Sequence, residues 1–406
     1  MFRNILKSKK LLFLIVPILV FSGLACSSDS DDSDNESFTF GMILVGPRDD
    51  RGWSQAHFEG GQYIEEKLGA TMITIDKVNP ADSPNVTVPQ VVDDMIAQGA
   101  KLIFATSDDM KDGILEAAAN HPDVPMIWSS GDSAWSGGKD YRSDLKNLGN
   151  VMGQMEYGKM IAGCAAALQS ETGKLSFLGP LINDETRRLV NSAYLGAKHC
   201  WTEIAGKDAS SLSFEVVWIG FWFQIPGVTL DPTQVVNEFF DSGSDVVISG
   251  IDTPEAIVRA EQIAAGGKTV WAVPYDYENA CDLGESVCLG VPFFNWGPSY
   301  LEIAKSVEDD DFEATWTWAA PNWDNLEDTD DGAIGFKKGA GLTDENAKHL
   351  DKFISSLEDK DINLWTGPLN YQDGSVFLKD GEEATDLQIW YTPTLLEGIN
   401  GASSAD

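Results

Sequence analysis

The chain has 406 residues and carries 28 Lys and Arg against 64 Asp and Glu, a net charge of -36. So acidic a surface repels nucleic acid and anionic membrane faces and argues against a phosphate-rich partner. The length exceeds what one core usually spans, so two domains are expected.

The first 25 residues read as a signal peptide. Arg3, Lys7, Lys9 and Lys10 form a basic start, and Leu11 to Leu24 is mostly apolar but too short for a resident span. Leu24-Ala25-Cys26-Ser27 resembles a bacterial lipobox, which implies cleavage before Cys26 and lipid on its thiol. The alternative is an ordinary signal peptide with an incidental cysteine. Residues 26–37 are acidic and low in complexity, a tether that cannot bury apolar surface.

Short apolar runs then alternate with helical patterns. Phe40 to Gly46 reads as a strand, Pro47 to Gly52 as a turn, and the stretch from Trp53 to Gly69 as a helix. Strands follow at Thr71–Ile75, Lys101–Thr106 and Val124–Ser129, with helices at Gln90–Gly99 and Lys111–Asn120 between them. The changeover between lobes is expected near Asp132 to Gly149. The alternation restarts with helices at Tyr157–Leu168, Asp184–Trp201, Pro232–Gly243 and Pro254–Ala265. Strands are expected at Lys174–Gly179, Phe214–Ile219, Asp245–Ser249 and Thr269–Val273. A strand (Val287–Phe294) and a helix (Pro298–Val307) come next. Glu308 to Asp331 is acidic with three Trp, Thr343–Glu358 is helical, and the tail from Asn363 looks turn-rich with a short terminal helix. The expected class is α/β with two doubly wound, Rossmann-like lobes. The first lobe takes residues 38–140 and 277–315, the second 141–276 and 316–406.

No GxSxG, HExxH, P-loop or GxGxxG occurs, and the four His are scattered. No cofactor and no metal are expected. Of the cysteines beyond Cys26, Cys281 and Cys288 are close enough in sequence to close a small ring, leaving Cys164 and Cys200 to pair. Buried free thiols are the alternative. In open α/β sheets ligands sit beyond the carboxyl ends of the strands. Those exits carry aromatics (Trp53, Trp222, Phe223, Trp296, with Tyr275) and polar residues (Asp50, Ser107, Asp108, Asp252, Asp276). Stacking faces and carboxylate acceptors suit a flat heteroaromatic ring, and they suit a sugar equally.

Several segments resemble the basic membrane protein family, the PnrA-like substrate-binding lipoproteins of ABC transporters. They are Gly46-Pro47…Asp50-Arg51-Gly52-Trp53…Ala56-His57, Leu102 to Ser107, Glu156…Ile161-Ala162-Gly163, Leu195 to Lys198, Asn295-Trp296-Gly297-Pro298 and Trp365-Thr366-Gly367-Pro368. The resemblance implies a type I periplasmic-binding-protein fold with a three-segment hinge. It also implies a purine nucleoside or nucleobase ligand and an ABC permease as partner. On that pattern Asp50 and Trp53 hold the ligand, Trp222 or Phe223 supplies the second aromatic, and Asp276 takes the ribose. Two departures stand out. Trp53-Ser54 replaces the usual Phe-Asn, and Phe294 stands where the family has a ribose-contacting Lys. Together with Asn295-Trp296-Gly297, these resemble the branch that takes a free base such as adenine. The expected role is a lipid-anchored, extracytoplasmic receptor of an ABC importer. The alternatives are a receptor for a sugar or other small neutral solute, a sensory binding lipoprotein, and an extracytoplasmic hydrolase.

Overall fold

The computed structural model describes residues 37–405. The leader, Cys26 and most of the tether lie outside the described residues.

Two parallel sheets form the frame. The first contains β1 (Thr39–Ile43), β2 (Thr71–Ile75), β3 (Ile103–Ala105), β4 (Met126–Ser129), β5 (Leu148–Gly153) and β11 (Trp316–Ala319), ordered β11-β5-β4-β3-β1-β2. The second contains β6 (Lys174–Gly179), β7 (Ser213–Trp218), β8 (Val246–Ser249), β9 (Trp271–Val273) and β15 (Ile399–Asn400), ordered β15-β7-β6-β8-β9. All pairings in both are parallel. The central strands are almost wholly buried, as sheets covered on both faces require. A third, antiparallel pair joins β10 (Gly290–Phe294) to β12 (Ile334–Lys338), and β13 (Leu369–Asn370) pairs with β14 (Val376–Leu378).

Strand order reverses between β1 and β3 in the first sheet and between β6 and β8 in the second. These are the switch points where a crevice opens beyond the strand ends.

Helices cover the sheets: α1 (Trp53–Leu68), α2 (Val88–Ala97), α3 (Lys111–Asn120), α4 (Met155–Gln169), α5 (Asp184–His199), α6 (Pro232–Asp241), α7 (Glu255–Ala265), α8 (Trp296–Glu308), α9 (Asp344–Glu358) and α10 (Asp386–Trp390). The second lobe is built around α4 and α5. A Cβ on Gly163 would lie 1.9 Å from Ala193 O, and one on Gly196 would lie 2.0 Å from Met160 O, so only glycine permits this approach. Disulfides join Cys164, within α4, to Cys200, just past the end of α5, and Cys281 to Cys288.

The chain crosses between lobes three times: from β5 into α4, from β9 through β10 into α8, and from β11 into β12. Helix α8 packs on α1 in the first lobe and α9 on α4 in the second. Two expected boundaries need correction. Strand β5 (148–153) belongs to the first sheet, so the changeover comes after Gly153 rather than at residue 140. Strand β11 (316–319) also completes the first sheet, so the return lies beyond residue 315. Both runs were hidden, β5 by its glycines and β11 by the surrounding acids. The tail likewise ends in β15, an edge strand of the second sheet, with α10 before it.

Candidate functional site

The two switch points face each other. The walls of the resulting cleft are Trp53, Ser107, Asp108 and Ser130 from the first lobe, and Phe177, Pro180, Glu185, Thr186, Leu189, Trp222, Gly250, Asp252 and Tyr275 from the second. About 460 Å³ of space lies between them, open solvent included, and little of it is wide enough for a water molecule. The cleft is therefore a narrow slot.

Of the residues read from the sequence, Trp53, Ser107, Asp108, Trp222, Asp252 and Tyr275 come together here. Trp53 opens α1 and is buried, with Nε1 donating to Thr106 O at 2.6 Å. Its ring meets His57, Phe294 and Trp296 edge-on, so it is fixed by first-lobe packing while still lining the slot. Trp222 lies in the loop after β7, where its carbonyl accepts from Asp252 N at 2.9 Å and its own Nε1 has no partner. Ser107 caps the turn at 108–110 through its Oγ, which accepts from Asp109 N at 3.3 Å.

Four expected residues lie elsewhere. Asp50 caps α1: its carboxylate accepts from Gly52 N (2.9 Å), Ser54 N (3.0 Å) and Gln55 N (3.0 Å). Burial nonetheless pushes it up to about 6. A helix start with free N–H groups claims such a carboxylate before a ligand can. Phe223 packs edge-on against Phe221 at 5.0 Å. Trp296 is turned into the first lobe, stacked between His57 at 4.2 Å and Phe294 at 4.9 Å. Asp276 is fully buried behind the cleft in a left-handed backbone conformation (φ 70°), with neither carboxylate oxygen bonded. Burial raises its carboxyl well above the usual range, against the pull of Lys159.

The sequence reading missed Glu185, Thr186, Leu189, Ser130 and Phe177. Glu185 and Thr186 stand at the start of α5, just past the β6 exit, and that position was the available signal. Burial pushes Glu185 up to about 7, with Arg188 opposing. Burial also raises Asp252, reinforced by Asp276 and Asp50. The nearby cations are committed to protein partners. Lys159 Nζ donates to Ser249 O at 2.7 Å and lies 3.0 Å from the centre of the Tyr275 ring. Arg188 Nε donates to Glu156 Oε1 at 2.5 Å. The slot thus offers aromatic faces and oxygen acceptors. Its serines have no histidine beside them: His57 bonds Tyr300 through Nδ1 at 2.7 Å inside the first lobe.

The geometry is that of two parallel-sheet lobes with a lined slot between their switch points. Residues 38–204 match the family described as ABC transporter substrate-binding protein PnrA-like. The family resemblance carried by the motifs is borne out. The coarse role this match supports is that of an ABC transporter substrate-binding protein, a family whose members bind small solutes outside the cytoplasm and work with a permease.

A purine-binding protein of Brucella abortus is 26% identical over 354 residues, 86% of this chain and 89% of its own length. A Haloferax volcanii protein, named provisionally as an ABC transporter glucose-binding protein, is 25% identical over 376 residues, 91% of this chain and 82% of its own. Among solved structures, an ABC transporter solute-binding protein from Aeropyrum pernix aligns with a TM-score of 0.60 at 14% identity. That alignment covers 80% of this chain and 87% of the other and supports the type I fold.

Proposed function

We propose that the slot binds a purine-type ligand, a nucleobase or nucleoside, clamped as the two lobes close. The observation that carries this reading is that Trp53 of one lobe and Trp222 of the other line the same narrow slot with Asp108, Glu185 and Asp252. Two indoles can stack on a flat ring, each face contributing roughly 1 kcal/mol beyond burial. The carboxylates accept from ring N–H, amino or ribose hydroxyl groups. Ser107 adds a hydroxyl that both donates and accepts. Asp50 acts from behind, by capping α1. The purine-binding relative supports the ligand class.

Ligand that fits only the closed state shifts the population toward it, with the three crossings as hinge. On this reading the mature chain is held to the membrane by lipid on Cys26, with the acidic segment after it as tether, and passes its ligand to an ABC permease. A thermal-shift panel of bases, nucleosides and sugars tests the ligand class, since a bound ligand raises the melting temperature with its concentration over Kd. A rise with a purine and none with a sugar is expected. The second reading, a sugar receptor, is favoured by the relative named for glucose. A response to sugars alone would establish it in place of the first.

A further inference from the structure

Two of the carboxyls that wall the slot are buried there without a protein partner. Glu185 is 9% exposed and Asp252 5% exposed, and both line the slot. Burial and neighbouring charges act on them, and no described residue donates a hydrogen bond to either carboxyl. Asp50, a few residues away, is the contrast: its carboxylate accepts three N–H groups of α1.

The charges that face this pair are mostly of the same sign. Asp108 and Asp109 after β3, Asp50 before α1 and Asp276 after β9 all raise one or the other carboxyl, and Glu156 on α4 adds to the field at Glu185. The opposing cations are few and engaged. Lys159 donates to Ser249 O at 2.7 Å and is held well below its usual range by burial. Arg188 pairs with Glu156, and in the adjoining cavity Lys111 pairs with Asp140 and Lys139 with Asp184. A buried carboxyl with neither donor nor counter-ion is costly to ionise. What would relieve it is a positive charge entering the slot.

Two further observations say what kind of cation fits. Among the described residues no three acid, His or Cys side chains are grouped to hold a metal ion. The slot is narrow and walled by indoles, and the Trp222 Nε1 is unpartnered. Indole is the aromatic ring that attracts an organic cation best. The occupant that meets both the carboxyls and the indoles is a flat ring that is itself charged.

We propose that the slot selects purine-type ligands whose ring carries a positive charge, through N-alkylation or protonation, and that Glu185 and Asp252 make the selection. The proposal rests on the purine reading above and adds the charge of the ring to it. A cationic ring favours the ionised carboxyls, so its binding drives protons from Glu185 and Asp252 into the buffer, and a neutral ring has no such effect.

Isomers that differ in charge but not in formula test this. At about pH 6, 1-methyladenine and 1-methyladenosine are cations, while N6-methyladenine and N6-methyladenosine are neutral. Calorimetry should show at least one cationic isomer binding about tenfold or more tighter than its neutral partner, with the ratio collapsing in Glu185→Gln and Asp252→Asn. The ratio within each protein is read, so a general loss of affinity does not imitate the effect. Titration of the unmodified protein in two buffers of different ionisation enthalpy needs no variant to fold, and it should show proton release with the cation alone. Equal binding of the isomers, tighter binding of the neutral one, a preference that survives both substitutions, or cation binding without proton release would each overturn the proposal and leave the purine reading standing. A melting temperature unmoved by every purine, charged or neutral, would instead remove the purine reading and this proposal with it.

Discussion

The space that a side chain on Gly52 would need is filled by the backbone of Asp252: a Cβ there would lie 1.7 Å from the Asp252 carbonyl oxygen. Gly52 immediately precedes α1 in the first lobe and Asp252 follows β8 in the second, so this is a point at which the lobes touch. Gly52→Ala should therefore oppose closure without touching either core. Ligand affinity should fall by at least about tenfold, because the competent closed state becomes scarce. The ligand-free melting temperature should change little. Calorimetry on both forms measures this, and unchanged affinity would mean closure does not pass through this contact.

The two indoles should separate under mutation. Trp222 is half-buried on a loop, so Trp222→Ala should weaken binding by about 1–3 kcal/mol with little loss of fold stability. Trp53 also belongs to the first-lobe core and bonds Thr106. Trp53→Ala should weaken binding and in addition cost about 3–5 kcal/mol of stability. Denaturant melts beside calorimetry distinguish the two.

Glu185 makes stability depend on pH in a stated direction. Its carboxyl is pushed up to about 7 from an ordinary 4.5, so the folded chain holds a proton that the unfolded chain has released. Stability from this group falls as pH rises from about 4.5 to about 7 and is flat above that. His57 acts oppositely. Burial holds it well below 6.5, so its contribution is present above 6.5 and is lost as pH falls. Glu185→Gln should gain on the order of 2 kcal/mol over the unmodified protein at pH 8, the gain vanishing near pH 4.5. Melting curves of both proteins across pH 4.5–8 check this; parallel curves would refute the shift.

The bond between Cys164 and Cys200 closes a 36-residue separation across α4 and α5, and both cysteines are fully buried. Replacing both by Ala should cost about 2–4 kcal/mol. Reductant added to the folded protein should act only slowly, since the sulfurs are exposed only on unfolding. Mass spectrometry after alkylation, with and without denaturant, follows both.

The sequence alone determined the class of fold and the residue types at the strand exits. Alternating apolar runs and helical stretches leave few arrangements other than parallel sheets, and the motifs near Trp53, Glu156 and Asn295 carry the family. What tertiary structure decided was which strand-exit groups are free to face the slot. Asp50 was taken by the N–H groups of α1, Trp296 by His57 and Phe294, and Phe223 by Phe221. Glu185 became a wall because α5 starts at the slot and buries it there. Local patterning fixes which face a residue occupies within its own element, but competition among neighbours for one side chain is settled only once distant segments are packed together.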